Sequence, residues 1–249
     1  MRRKENPSKK QEIDMVMDSF QTLGNEIKSL REQLIVKERL AALGEVSAGI
    51  AHEFRNPMGV ITGYARLLLK GFDETDRRRE IVQGILKEIE GMNRVMEELL
   101  RFSRSEPVNK VNLDITKLIG EVIHDYNEPE HIHFTSNEPF IVRGDETLLK
   151  QAINNLLQNA KEAGSEVWIN VERGISSGKE GLFISVRDNG GGIEVDDIDK
   201  IFMPFYTKKA EGLGIGLSIV QKVAMAHGGT VDVESKKGHG STFRLFLPL

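Results

Sequence analysis

The sequence predicts an α + α/β chain. A helical hairpin pairs into a four-helix-bundle dimerisation domain, and an α/β sandwich with a mixed sheet follows it. Three observations predict this. Apolar residues recur at helical spacing in two long stripes up to residue 102. Ser105-Glu106-Pro107 then interrupts the pattern. Beyond it, short alternating runs interleave with helical ones, an order that suits a sheet with one helical face. At 249 residues, with 39% hydrophobic and 29% charged content, the chain has enough material for two modest cores. The expected divisions are an N-terminal coiled-coil helix at 1–38, the bundle domain at 39–105 and the sandwich at 106–249.

The elements follow in order. Val16, Phe20, Leu23, Ile27, Leu30 and Leu34 repeat with the spacing of a coiled-coil seam. The phase slips before Leu40, Leu43, Val46, Ile50 and Phe54, which fits either a signal entry point or the plain end of a dimer seam. The stripe continues through Ile61, Ala65 and Leu68 and stops at Lys70-Gly71, where glycine suits a helix C-cap. Asp73-Glu74-Thr75-Asp76 offers caps for a second helix. Its stripe is Ile81, Ile85, Ile89, Met92, Val95 or Met96, Leu99 and Phe102. Two such helices cannot close a core alone, so a second copy of the hairpin is expected to complete the bundle.

After the linker, helices are expected at 114–126, 145–163 and 216–227. Strands are expected at 131–134, 140–143, 167–172, 182–187, 230–234 and 242–247. Leu148, Ala152, Ile153 and Leu156 read as core.

Composition excludes several classes of function. No cysteine is present, so disulfides, thiolate metal sites and cysteine nucleophiles are out. The net charge of −4 does not favour nucleic acid. No apolar run reaches the ~18 residues of a membrane span. The basic start Met1-Arg2-Arg3-Lys4 fits a solvated terminus, or the inner flank of a span outside this chain.

Three motifs carry chemistry. The stretch Ala51-His52-Glu53-Phe54-Arg55-Asn56-Pro57 puts an imidazole, a carboxylate and an amide on about one helical turn. Pro57 cannot bond the Glu53 carbonyl and should bend the helix there. A neutral imidazole nitrogen of His52 can attack a phosphorus atom while Glu53 takes the proton from the other nitrogen. A lone helical histidine is more often structural; its neighbours make this one a candidate nucleophile. The second motif, Asp188-Asn189-Gly190-Gly191-Gly192-Ile193, follows a strand and alone marks only a tight turn. The third, Gly212-x-Gly214-x-Gly216, opens a helix at Leu217. Glycines there let backbone N–H groups approach phosphate beside a favourable helix dipole. The same triplet fits a dinucleotide fingerprint, but no strand-turn with a downstream ribose acid frames it.

In this order and spacing, from about residue 35 onward, the chain resembles the transmitter part of a two-component sensor histidine kinase. The stretch around His52 is similar to the His-Glu-Phe-Arg-Asn-Pro box of the phosphotransfer domain. The later motifs are similar to the ATP-binding domain shared with gyrase-type topoisomerases and Hsp90-type chaperones. The resemblance implies autophosphorylation of His52 from ATP, transfer to an aspartate of a response regulator receiver domain, and dephosphorylation of that regulator with Asn56 orienting water. It implies Asp188 as acceptor for the adenine amino group and Asn159 as the Mg2+ ligand. Nucleotide contacts are implied at Asn155, Gly190, Gly192, Ile193, Phe202, Lys208, Gly212, Gly214, Gly216 and Leu217. Residues 201–209 are similar to the phenylalanine box and lid over ATP, where Lys208 or Lys209 would reach phosphate.

Relatives that hydrolyse ATP carry glutamate where this chain has Asn155. An amide cannot act as a base, which favours a kinase over an ATPase. Glu162 departs from the pattern, since many relatives place a lysine or arginine there. The implied setting is a cytoplasmic homodimer, or the cytoplasmic part of a membrane-anchored protein, with a sensor domain outside this chain. A nucleotide-binding scaffold, or a phosphatase-biased form with little kinase activity, is the alternative. Val60, Tyr64 and Leu67 are expected to form part of the regulator's docking surface.

Overall fold

The computed structural model describes residues 34, 38, 49–51, 53–103, 108–126, 129–136, 138–209 and 213–249. His52, Gly212 and most of the expected coiled-coil seam lie outside these. Packing divides the chain after Leu43, and the elements below belong to the second part.

Helix α1 spans residues 53–70 and runs through Pro57; helix α2 spans Arg78–Ser103. Buried side chains recur at seven-residue steps, at Met58 and Ala65 on α1 with Ala51 just before it, and at Val82, Ile89 and Met96 on α2. Leu99 of the expected α2 stripe is buried as well, and other members of the two stripes are not. Ile50, Phe54, Ile61, Leu68, Ile81, Ile85 and Met92 are all exposed. Of the two alternatives on α2, Met96 is the buried one (8% exposed) and Val95 the open one (36%). A single hairpin closes one line of contacts, and the wider apolar face stays uncovered.

The turn between the helices differs in detail from the expected glycine cap. Gly71 is not among the left-handed glycines; its N–H donates to the Leu68 carbonyl at 3.0 Å. Arg79 does the capping instead. Its Nη1 donates to the Leu69 carbonyl at 3.2 Å and the Phe72 carbonyl at 2.9 Å. At the start of α2, Asp76 accepts the Arg78 N–H at 2.9 Å and pairs with its guanidinium. That contact holds the Asp76 carboxyl below its ordinary range.

The α/β part runs β1 (Val111–Asp114), α3 (Ile115–His124), β2 (Ile132–Ser136), β3 (Ile141–Gly144), α4 (Glu146–Ala163), β4 (Val167–Ser176), β5 (Lys179–Asp188), α5 (Val195–Ile198), α6 (Gly216–Ala226), β6 (Thr230–Ser235) and β7 (Ser241–Pro248). Five strands form one sheet in the order β2-β4-β5-β7-β6. β2 and β4 are parallel and the other pairs antiparallel, so the sheet is mixed as expected. β1 and β3 make a separate antiparallel pair. β1 is absent from the sequence expectation, which started α3 at residue 114. Asp114 is the N-cap, its Oδ1 accepting the Lys117 N–H at 3.1 Å. Asp145 does the same for α4 through the Leu148 N–H at 3.1 Å.

Burial alternates along the central strands. Val167, Ile169 and Val171 of β4 are buried, as are Leu182, Ile184 and Val186 of β5 and Phe243, Leu245 and Leu247 of β7. In register, Ile169 faces Val186 and then Phe243, and Val171 faces Ile184 and then Leu245. Helices α3, α4 and α6 supply the opposing layer with Ile115, Ile119, Leu149, Ile153, Leu156, Leu157 and Val220, all fully buried. Each such side chain contributes roughly 1.5–3 kcal/mol by leaving water. The β4–β5 hairpin extends beyond the expected strand ends. Ser177 (φ 50) and Gly178 (φ 76) form its two-residue turn.

Candidate active site

The alternation on β5 carries past the apolar residues to Asp188, which takes a buried position at the strand end with 1% exposure. A carboxylate there must be satisfied. Its Oδ1 accepts the Gly190 N–H at 2.8 Å, and the Ser241 backbone also donates to it. Burial pushes the carboxyl above its ordinary range despite these bonds. It remains an acceptor set in an apolar layer, the chemistry needed to read an exocyclic amine.

The glycine loop after it is held by the β6–β7 turn. Gly192 is left-handed (φ 68), and a Cβ on it would stand 2.2 Å from the Lys236 carbonyl oxygen, so no side chain fits. The Ile193 N–H donates to Ser235 Oγ at 2.8 Å, and Ser235 Oγ in turn donates to the Gly240 carbonyl at 2.9 Å. Asn189 ties the loop to α4's far end, accepting the Ser165 N–H at 2.9 Å and the Glu166 N–H at 3.1 Å.

Asn155 and Asn159 lie one turn apart on α4, half-buried. Both approach the start of α6. A Cβ on Gly216 would stand 3.3 Å from Asn155 Oδ1 and 3.7 Å from Asn159 Nδ2. Helix α6 has Ile215 at its N-cap position, with no side-chain cap bond. Its first-turn N–H groups, at Gly216 and Leu217, are therefore the kind of donors an anion takes up. The elements thus bring a buried acceptor, two amides and a helix start onto the α4 side of one sheet.

Residues 201–209 connect the two glycine motifs. Phe202 meets Phe243 of the core edge-on at 6.5 Å. The Phe205 N–H donates to the Gly214 carbonyl at 3.1 Å. Phe205 (φ 67) and Gly214 (φ 66) are both left-handed at this junction. A Cβ on Gly214 would stand 2.5 Å from the Tyr206 carbonyl oxygen, which only glycine avoids. This bond ties the middle of the segment to the second glycine motif. Lys208, expected at phosphate, pairs with Asp197 of α5; Tyr206 Oη donates to the same carboxylate at 2.5 Å. The Lys208 ammonium and the Tyr206 hydroxyl hold the Asp197 carboxyl below its ordinary range. Sequence reasoning missed Asp197. It stands among Asp196 and Asp199, and only burial distinguishes it.

On the hairpin, Glu53 and Asn56 are exposed on α1. Val60, Tyr64 and Leu67 are exposed too, at 55%, 66% and 65%. Tyr64, Leu67, Leu68, Gly71 and Phe72 line an open hollow of about 490 Å³. Among the described residues no cluster of three histidine or acidic side chains is arranged to hold a metal. No described helix is long and apolar enough to cross a membrane.

A helical segment with a histidine box, followed by a mixed-sheet domain built to take a nucleotide, defines a phosphotransfer protein of two parts. Residues 42–107 match the His Kinase A (phospho-acceptor) domain, and residues 144–249 match the histidine kinase-, DNA gyrase B- and HSP90-like ATPase domain. The chain belongs to the two-component sensor histidine kinases, as a transmitter region.

It is 37% identical over 227 residues to the sensor histidine kinase ZraS of Escherichia coli K12, a match covering 88% of this chain and 48% of that protein. Over 229 residues it is 36% identical to the signal transduction histidine-protein kinase AtoS of the same organism, covering 89% and 37%. The chain thus spans about half or less of the length of these relatives. The histidine kinase ThkA, solved in complex with the response regulator TrrA, matches with TM-score 0.58 and 29% identity, covering 90% of this chain and 66% of that one. Full-length ShkA in complex with AMPPNP matches with TM-score 0.61 and 26% identity, covering 82% and 46%.

Proposed function

We propose that this chain is an ATP-dependent protein-histidine kinase that phosphorylates its own His52. The observation that carries the reading is the convergence of Asn155 and Asn159 on the uncapped start of α6, in a domain whose buried Asp188 suits adenine. In the proposed complex Asp188 accepts from the adenine amino group. Guanine would oppose one acceptor with another. Gly190, Gly192 and Ile193 shape the base pocket. Gly212, Gly214, Gly216 and Leu217 present backbone N–H groups to the phosphates, and Phe202 anchors the lid.

The amide oxygen of Asn159 suits Mg2+, a hard cation that keeps most of its shell from water and substrate phosphates. When bound, the ion offsets phosphate charge. Asn155 cannot take a proton from water, so bound ATP is spared hydrolysis.

A nitrogen of neutral His52 attacks the γ-phosphorus of ATP, the bond from that phosphorus to the bridging oxygen breaks, and ADP leaves. Glu53, next in sequence, accepts the proton of the other ring nitrogen. The phosphoryl group then passes to an aspartate of a response regulator receiver domain. Exposed Val60, Tyr64 and Leu67 suit a protein partner there. Asn56 orients water when the regulator is dephosphorylated.

The uncovered face of Phe54, Ile61, Ile85 and Met92 supports a homodimer closed as a four-helix bundle. The proposed domains remain 1–38, 39–105 and 106–249. The proposed setting is cytoplasmic, with the stimulus read by a sensor domain outside this chain.

The test is incubation with γ-labelled ATP and Mg2+, alongside His52→Ala. Acid-labile label on the parent and none on the variant supports the kinase. ATP binding without any label transfers the reading to a nucleotide-binding scaffold or a phosphatase-biased transmitter.

A further inference from the structure

The loop that carries Asp188 meets the end of α4 backbone against backbone. A Cβ on Gly190 would stand 2.2 Å from the Ala163 carbonyl oxygen, and one on Gly164 would stand 2.9 Å from the Gly190 nitrogen. Neither glycine is left-handed, and Gly164 has extended angles (φ −143, ψ 173) that any residue adopts. Glycine is needed at this seam for the closeness of the approach.

Asn189 bridges the seam. Its Oδ1 accepts the Ser165 and Glu166 N–H groups at 2.9 and 3.1 Å, and its Nδ2 donates to Ser165 Oγ at 3.1 Å. The side chain is exposed, yet both ends of its amide bond to one neighbouring segment. That segment is braced in turn through the Glu166 carboxylate. The His131 Nδ1–H, just before β2, donates to Glu166 Oε1 at 2.9 Å, and the His133 Nε2–H on β2 donates to Oε2 at 2.7 Å. These two bonds hold the Glu166 carboxyl below its ordinary range.

Helix α4 acts as a ruler between the two ends of the site. At a rise of about 1.5 Å per residue, Asn159 stands about 6 Å and Asn155 about 12 Å back along the axis from Ala163. Asp188 precedes Asn189 directly and accepts the Gly190 N–H at 2.8 Å. The clamp therefore sets the buried acceptor at one distance from the amides that approach Gly216. A hydrogen bond weakens steeply with misalignment, so a loop that shifts on α4 loses its hold on an amine first.

We propose that Asn189 is a positioning residue for base selection, clamping the loop to the end of α4 so that Asp188 stays in line with the adenine amino group. It acts through Asp188 and not on the nucleotide. This role rests on the nucleotide-binding reading above and adds the means by which that pocket recognises its base.

Calorimetric affinities of the full chain for ATP and for purine riboside triphosphate, which is ATP without its amino group, test it. The variants are Asn189→Ala and Asn189→Asp. The parent should prefer ATP. Asn189→Ala should weaken ATP by roughly tenfold, the worth of a hydrogen bond to a charged group. The amine-free analogue should bind nearly as in the parent, so the preference collapses. Asn189→Asp keeps an acceptor for both N–H groups and should retain most of the preference. A merely structural residue would weaken both nucleotides alike, because that role does not couple to the amine. Equal losses for the two nucleotides, an unchanged preference in Asn189→Ala, or the same collapse in Asn189→Asp overturns the proposal and leaves the kinase standing. A parent that binds no ATP overturns the nucleotide reading, and one that binds the analogue as tightly removes Asp188 from base recognition. Either result takes the role of Asn189 down as well.

Discussion

The hairpin and the sandwich domain use apolar residues in opposite ways. In the sandwich, strand alternation and helix stripes end on each other, and Leu149, Ile153, Leu156 and Leu157 have no exposed surface. In the hairpin only Met58 and Ala65 on α1 and Val82, Ile89, Met96 and Leu99 on α2 are buried, while Phe54, Ile81, Ile85 and Met92 stand open. A closed core makes a domain that holds its ligand alone. An open one leaves apolar surface for a partner to cover. The same sequence thus separates a domain with a closed core from a hairpin whose open apolar face the proposed homodimer would cover.

That contrast is open to attack at several points. The largest effect belongs to the closed core. Leu156→Ala should cost about 2–5 kcal/mol in urea unfolding followed through the sandwich domain, since its neighbours cannot collapse into the gap. An effect under ~1 kcal/mol would mean that this core is looser than its burial indicates. On the open side, Met92→Asp should abolish the dimer in light scattering while ATP affinity stays as in the parent. A dimer that survives this charge would place its interface elsewhere.

Within the site, Asp188→Asn should weaken ATP by roughly tenfold or more, because an amide in that pocket presents its own donors to the adenine amine. Retained ATP affinity would remove Asp188 from base recognition. The N-cap of α3 sharpens the picture of local order: Asp114→Ala should cost about 1 kcal/mol, read in the same unfolding experiment.

The smallest effect is pH-dependent. His227 is buried, with Nε2 accepting the Asp145 N–H at 2.9 Å and Nδ1 donating to the Val223 carbonyl at 2.8 Å. Burial lowers its pKa from the ordinary 6.5. The unfolded chain therefore binds the proton more readily, and this contribution is fully present above pH 6.5 and lost as pH falls below it. His227→Gln should flatten the stability profile in that window. An unchanged profile would assign the acid sensitivity to other groups.

Much of this was legible because local chemistry and tertiary packing agree. Asp145 and Asp114 announce helix starts, and the structure uses both as caps. The glycine motifs announce tight approaches, and Gly192 and Gly214 have no room for a side chain. Other features depend on partners distant in sequence. β1 is four residues long and exists through its pairing with β3. The stripe on α1 read as one face, yet Ala65 is buried and Ile61 is not. Lys208 and Lys209 are indistinguishable in sequence; Asp197 and Glu162 separate them.

The most direct test of the account is to map the phosphoryl group after brief incubation with Mg2+ and ATP, using peptide mass spectrometry at near-neutral pH. The account predicts one modified peptide, the one containing His52, with the modification lost on acid treatment and absent from Asp188→Asn at limiting ATP. An acid-stable phosphate on serine or threonine, or steady ATP hydrolysis with no phosphorylated peptide, would contradict it.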